Sequence, residues 1–307
     1  MTLCPISYEP CTGLYSEKGL KLLSKSLSGL YPLPFSSVEL RQEASSRAGK
    51  ISIQGVQPKL SARLNVKNQC FDLVDKNGHY ILKPQISDYP NVPENEDLTM
   101  RLAASAGISV PLHGLLYGRD NELTYFIRRF DRTLKNQKIH VEDFAQLSGK
   151  NRDTKYNSSM EQVAKIIEKF CTFPAIEKAK LFKIMLFCFL TGNEDMHLKN
   201  FSLIQHNGMT ALSPSYDLLN TSIILLSPDE ELALPLNGKK NKLKKHDFMD
   251  YFAKEKLMLT DKVIDTLMSN FKTLQNKWEQ WINISFLPFE KKQAYKELLQ
   301  SRCSRIF

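Results

Sequence analysis

The feature that most constrains this chain is the uncharged apolar run at positions 184–190, Ile-Met-Leu-Phe-Cys-Phe-Leu, together with the ten residues after it, Thr-Gly-Asn-Glu-Asp-Met-His-Leu-Lys-Asn at 191–200. Seven consecutive apolar side chains leave no face for water, so the run predicts a helix buried on every side. Residues 201–204, Phe-Ser-Leu-Ile, then alternate at strand period. The local plan is a core helix, a polar loop and a short strand.

Within that loop Asp195 and Asn200 stand five apart, the spacing that places a proton-accepting carboxylate and a metal-holding amide in phosphoryl-transfer sites. Lys199 adds a positive charge, and His197 is placed to hydrogen-bond within the loop or to contact a phosphoryl oxygen. The plain alternative is a solvated loop capping a core helix. A second acid argues against it: Asp217 follows a His206-Asn207-Gly208 turn that predicts a hairpin, which would fold this carboxylate back beside the first loop. Two acids and an amide make an oxygen cage suited to magnesium on a triphosphate.

Composition sets wide bounds. At 307 residues, 42% hydrophobic and 24% charged, the chain is long enough for two lobes and has an ordinary globular balance. Its six cysteines, at 4, 11, 70, 171, 188 and 303, show no paired C-x-x-C spacing, which argues against a zinc cluster or disulfide framework and for a reducing, cytoplasmic setting. The start lacks the pattern of a signal peptide, and no apolar run is long enough to span a bilayer. A net charge of +9 suits anionic partners or substrates, although the basic run at 239–245 reads most simply as an exposed loop.

The first fifty residues read as irregular, apart from a helix opened by Ser36-Ser37-Val38-Glu39. Residues 51–66 then predict a strand, a turn at Gly55 and a second strand with Leu60, Ala62, Leu64 and Val66 on one face. Such a hairpin can lay backbone N–H groups over phosphates, making Ser52, Gly55, Gln57 and Lys59 candidate nucleotide contacts. Lys83 ends another apolar strand, and an acidic helix from Glu94 offers Glu96 as its partner, unless those acids only complement the helix dipole. The strand at 123–132 runs out into charge, as a hinge would, with the backbone of Arg128, Arg129 and Phe130 a candidate adenine contact. Helices are expected over 159–171, after Pro174, and through most of the chain beyond 225, with Val263, Leu267, Met268 and Phe271 sharing a face.

With these pieces assembled, the chain resembles the HipA family of bacterial toxin kinases. The resemblance rests on Ser-Ile-Gln-Gly-Val-Gln-Pro-Lys at 52–59, the Lys83 strand, Glu-Asn-Glu at 94–96, Arg-Phe-Asp-Arg at 129–132, the loop at 192–200 and Tyr216-Asp217. It implies an α+β, two-lobed protein-kinase-like fold, with a sheet-rich N-terminal lobe over 1–130 and a helical lobe over 131–307. It implies a serine/threonine protein kinase using ATP and Mg2+, with Asp195 as catalytic base, Asn200 and Asp217 on the metal, Lys83 on the phosphates and Phe130 at the adenine hinge. Ser52 would be an autophosphorylation site that switches the enzyme off. Only one serine stands in that turn, since position 54 is glutamine.

Full-length HipA relatives carry a further N-terminal subdomain for which this chain is too short, so the likeness is strongest to the short HipT toxins of three-part systems. Those imply an aminoacyl-tRNA synthetase as acceptor, of the glutamyl or tryptophanyl type, a small HipS-like protein and a HipB-like helix-turn-helix antitoxin as partners, and DNA contact only through the antitoxin. Three other readings stay open from the residues: a small-molecule or lipid kinase of the same fold, a catalytically silent module acting through a DNA-binding antitoxin, and a metal-dependent hydrolase using Asp195, His197 and Asp217.

Overall fold

A computed structural model describes residues 2–48, 57–133, 135–225 and 230–307. The chain divides into two compact units, one of Met1–Leu98, Pro111–Lys138 and Ile284–Leu287, the other of Thr99–Val110, Ile139–Asn283 and Pro288–Phe307. The fold is mixed α and β, with a sheet-rich region and a helical C-terminal part.

The first unit opens with a two-stranded ribbon, β1 (Thr2–Leu3) and β2 (Pro10–Cys11), followed by helices α1 (Glu17–Leu23) and α2 (Ser37–Ala48). Ser16 caps α1 by accepting from the Gly19 amide. At α2, Glu39 and Ser36 exchange side-chain to backbone bonds of 2.7 and 3.3 Å, a capping box that fixes the helix start. Residues 4–9, 12–16 and 24–36 are irregular, as the sequence suggested, while the ribbon and α1 were not anticipated. Cys4, Ile6, Leu20, Leu23, Leu27 and Leu40 are buried in the same apolar cluster as the sheet residues Leu60, Ala62 and Phe126. Elements this short carry little periodic signal, which is why they were illegible.

The sheet has five strands: β3 (Leu60–Asn65), β4 (Cys70–Leu73), β5 (Tyr80–Lys83), β6 (His113–Tyr117) and β7 (Leu123–Arg128), with α3 (Val92–Ser105) between β5 and β6. Their order is β4-β3-β5-β7-β6, all antiparallel. Leu60 and Ala62 lie buried with Leu64 and Val66 packed beside them, the alternate face expected from the pattern. The central place of β5 buries its last residue, Lys83.

In the second unit β8 (Val141–Asp143) leads into α4 (Phe144–Leu147), and α5 (Met160–Phe170) and α6 (Pro174–Thr191) follow. Ser159 caps α5, and proline sits in the first turn of α6, where its missing N–H costs nothing. Every residue from Ile184 to Thr191 is buried. Strands β9 (Ser202–His206) and β10 (Met209–Leu212) pair through a turn in which Asn207 and Gly208 both have positive φ, 51° and 76°, the type I′ geometry of tight hairpins.

Residues Asp247–Lys256 form a π-helical segment, and α7 (Asp261–Ile284) and α8 (Phe289–Ile306) complete the unit. The buried stripe of α7 is Ile264, Leu267, Phe271, Trp278 and Ile282; Leu267 and Phe271 lie on the face expected, Met268 is half-buried, and Val263 is exposed with Ile264 buried in its place. Trp278 anchors that stripe: its indole donates to Ser105 Oγ at 2.8 Å and meets Phe187 and Phe271 edge-on. No helix among the described residues is long and apolar enough to cross a membrane.

Helix α6 stops at Gly192, whose φ of 68° is left-handed. A Cβ there would meet Leu298 and come within 2.7 Å of Ser222 Oγ and 2.8 Å of Asn220 Oδ1. Gly192→Ala is therefore expected to destabilise the fold by about 2 kcal/mol or more in urea denaturation, combining the left-handed penalty with crowding. A change below about 0.5 kcal/mol would show that the cap is not constrained as described.

Candidate active site

Each group of site residues belongs to one unit. In the first, Lys83 and Glu96 form an ion pair in which both side chains are almost fully buried, and the ammonium also lies 5.4 Å from the centre of the Tyr125 ring. The acids at the start of α3 do more than complement its dipole. Glu94, Asn95, Glu96 and Asp97 are all buried: Gln85 Nε2 donates to both Glu94 oxygens at 2.8 and 2.9 Å, and His113 Nδ1 lies 2.8 Å from Asp97 Oδ1. Burial raises the Glu94 carboxyl above its ordinary range, with the Gln85 bonds opposing. This network holds α3 in register with β5, so Glu96 faces the lysine.

At the end of β7 two of the three backbone amides proposed for an adenine are bonded within the unit. The Arg128 and Arg129 amides donate to the Leu112 and His79 carbonyls at 2.7 and 2.8 Å, so neither N–H is available to a nucleobase in this arrangement. Arg128 Nη2 donates to Tyr80 Oη at 2.8 Å, and Arg129 grips Asp131 with two bonds of 2.9 and 2.6 Å. Phe130 is half-buried between them in the chain. Gln57 and Lys59 are half-buried just before and within the approach to β3, while Ser52 and Gly55 lie outside the described residues.

In the second unit the loop after α6 is shaped by its own polar groups. The Asp195 amide donates to Asn193 Oδ1 at 3.2 Å, the His197 amide to the Asp195 carbonyl at 2.9 Å, and Leu198–Asn200 forms one 3₁₀ turn. Asn200 Nδ2 donates to the Asp195 carbonyl at 2.7 Å. Since that acceptor needs an N–H, the amide is oriented with its oxygen as the end that can bind a cation. Lys199 is exposed and pairs with Asp143 at 3.6 Å, so its charge is directed to the helix cap of α4.

The hairpin returns the chain to the same loop. Ser213 donates to the Ser202 carbonyl at 2.9 Å, and Tyr216 Oη donates to the Lys199 carbonyl at 2.9 Å while lying 2.5 Å from Ser202 Oγ. Asp217, next in line, has a left-handed φ of 54°, a conformation sparse for a residue with a Cβ and one that clusters at functional sites. His197 is buried, and its Nε2 lies 3.9 Å from Asp195 Oδ1. Burial holds its pKa below the ordinary value against the opposing pull of Asp195 and, more weakly, of Asp217, so the ring is largely neutral near pH 7.

Sequence reasoning missed the supports of this loop. Thr221 Oγ1 accepts from the Glu194 amide at 2.8 Å and donates to the Gly192 carbonyl at 3.1 Å, and the Ser222 hydroxyl donates to Glu194 Oε1 at 2.6 Å. Arg302 of α8 reaches Glu194 and Glu231, each at 3.5 Å, and Arg305 pairs with Glu231 at 2.5 Å. Tyr156 donates to Asp195 Oδ1 from the polar loop before α5. The Thr-Ser pair four residues after Asp217 was the available signal for the first of these; the arginines look like any solvated helix face.

Among the described residues no three His, Cys, Asp or Glu side chains are grouped to hold a metal. Asn200 and Asp217 instead offer two oxygen donors, which fits a magnesium ion that keeps several of its waters.

These features define a kinase-like fold. The structure is similar to HipA of Shewanella oneidensis in its complex with HipB and operator DNA, with a TM-score of 0.67 and 22% identity over 91% of this chain and 73% of that one. It is also similar to the Helicobacter pylori proinflammatory kinase CtkA, with a TM-score of 0.55 and 16% identity over 80% of this chain and 93% of that one. The HipA-like C-terminal domain model matches residues 51–278, and the chain belongs to that family. A Haemophilus influenzae protein named "Putative kinase" is 35% identical over 235 residues, 72% of this chain and 67% of its own. The serine/threonine-protein kinase toxin HipA of Shewanella oneidensis is 29% identical over 195 residues, 57% of this chain and 44% of its own.

Removing one member of the buried pair tests its weight. Glu96→Ala should cost about 3–5 kcal/mol in chemical denaturation by leaving the Lys83 ammonium buried without its carboxylate. The double variant Lys83→Met/Glu96→Leu should recover most of that loss. Equal stability of Glu96→Ala and the parent chain would contradict the burial described.

Proposed function

We propose that the chain is an ATP-dependent protein serine/threonine kinase of the HipA toxin type. The observation that carries this reading is the loop at 193–200 with the hairpin behind it, which sets a half-exposed carboxylate, an amide with its oxygen end presented and a second acid in one unit. When bound, ATP supplies the γ-phosphoryl group and magnesium screens the charge that develops on it. Asp195 orients the acceptor hydroxyl and takes its proton late in the transfer. Asn200 and Asp217 are the residues that would hold the metal, through their oxygens. Lys83, held in place by Glu96, neutralises phosphate charge. The neutral His197 packs beside Asp195 and limits its freedom.

The finer reading follows from family likeness. The acceptor is an aminoacyl-tRNA synthetase, and transfer to it arrests growth. A HipB-like repressor binds this chain, as HipB accompanies HipA in the Shewanella complex, and a small HipS-like protein completes a three-part system of the HipT type. Phosphorylation of Ser52 places about two negative charges among the candidate phosphate contacts and so opposes nucleotide binding.

The test is transfer of labelled γ-phosphate to purified synthetases, with lipid and sugar acceptors alongside. Asp195→Ala should lower transfer at least about a hundredfold while ATP binding persists. Normal labelling by that variant would overturn the assignment of the base, and labelling of lipid alone would overturn the protein-kinase reading.

A further inference from the structure

The mechanism above leaves Tyr156 without a role, yet its hydroxyl donates to Asp195 Oδ1, an oxygen of the carboxylate assigned to receive the acceptor's proton. The ring meets His197 edge-on at 5.0 Å and 82°, and Lys155 Nζ lies 4.9 Å from its centre. The segment that carries it is built, not slack. Asn151 Oδ1 accepts from the Asp153 and Thr154 amides at 3.0 and 3.1 Å, and the Leu198 amide donates to the Lys155 carbonyl at 3.3 Å, tying this loop to the catalytic loop. Burial and then the Asp195 contact raise the phenol's pKa, so it remains a proton donor across the physiological range. Tyr156 is nevertheless 40% exposed, and an incoming chain can reach and displace it.

On the kinase reading, a donor hydroxyl on Asp195 sits where the acceptor hydroxyl must sit. We infer that Tyr156 is a built-in stand-in for the acceptor hydroxyl, occupying Asp195 Oδ1 in place of water until an acceptor displaces the phenol. Without it, a water bound to Asp195 can give its proton to the carboxylate while its oxygen bonds to the γ-phosphorus. The β–γ bridging P–O bond breaks, its electron pair leaves on ADP, and inorganic phosphate is released. The phenol suppresses that wasteful reaction and sets a threshold that an acceptor must overcome by its own binding.

The test uses water as the acceptor. Release of inorganic phosphate from ATP and magnesium is measured without added protein for the full chain, Tyr156→Phe, Asp195→Asn and the double variant, with ATP binding titrated for each. Tyr156→Phe keeps the ring and loses only the hydroxyl. Its hydrolysis should rise about tenfold or more, the weight of one hydrogen bond to a charged group, and the double variant should return to the Asp195→Asn level. If Tyr156→Phe binds ATP but hydrolyses it no faster than the parent, or more slowly, Tyr156 orients Asp195 or does nothing, and the stand-in is overturned. A phosphate mapped to Tyr156 itself would also overturn it. Failure of the parent chain to bind ATP would instead remove the kinase reading beneath the proposal.

Discussion

The buried C-terminus of α6 sets the constraint on which the candidate site depends. A helix end leaves carbonyl groups without intrahelical partners, and one buried away from water must find donors. Here Gly192 turns the chain out of the helix, and its carbonyl accepts from the Ser222 amide at 3.2 Å and the Thr221 hydroxyl at 3.1 Å. Those donors arrive only because the β9–β10 hairpin reverses the chain. Satisfying the end of an apolar helix therefore brings the Asp217 segment back to the Asp195 loop, and the candidate site is assembled around a polar group that cannot be buried alone.

The same loop is held from two further directions. Arg302 and Arg305 link α8 to Glu194 and Glu231, and Arg302 also lies 4.7 Å over the Phe189 ring. Burial raises the Glu194 carboxyl above its ordinary range, with Ser222 and Arg302 opposing it. The last helix, far from Asp195 in sequence, thus acts on the residue next to it. In the first unit the buried acids of α3 play the corresponding part for Lys83, with Glu94 and Asp97 fixed by Gln85 and His113.

What could be read from the sequence was whatever carried periodicity or turn chemistry. The 184–190 run, the Asn207-Gly208 turn, the alternation through β3 and the capped helix starts at Ser36 and Ser159 each dictate their structure locally. Strands β4 and β6 and the ribbon at the start were illegible because two to five residues give no period to detect. The α7 stripe was read correctly at Leu267 and Phe271 and wrongly at one position, because Val263 and Ile264 are equally apolar. In the site, Asp195, Asn200 and Asp217 were readable as residue types at set spacings. Tyr156 and Arg302 were not, since their partners lie 39 and 108 residues away.

The central claim is that this chain binds a metal–triphosphate through Asp217 and Asn200. Titration of ATP into the purified chain by calorimetry, with and without magnesium, tests it most directly when repeated on Asp217→Ala. The account predicts saturable, magnesium-dependent binding to the parent chain and its loss in the variant. Binding that is equally tight in the variant, or absent from a folded parent chain, would contradict it.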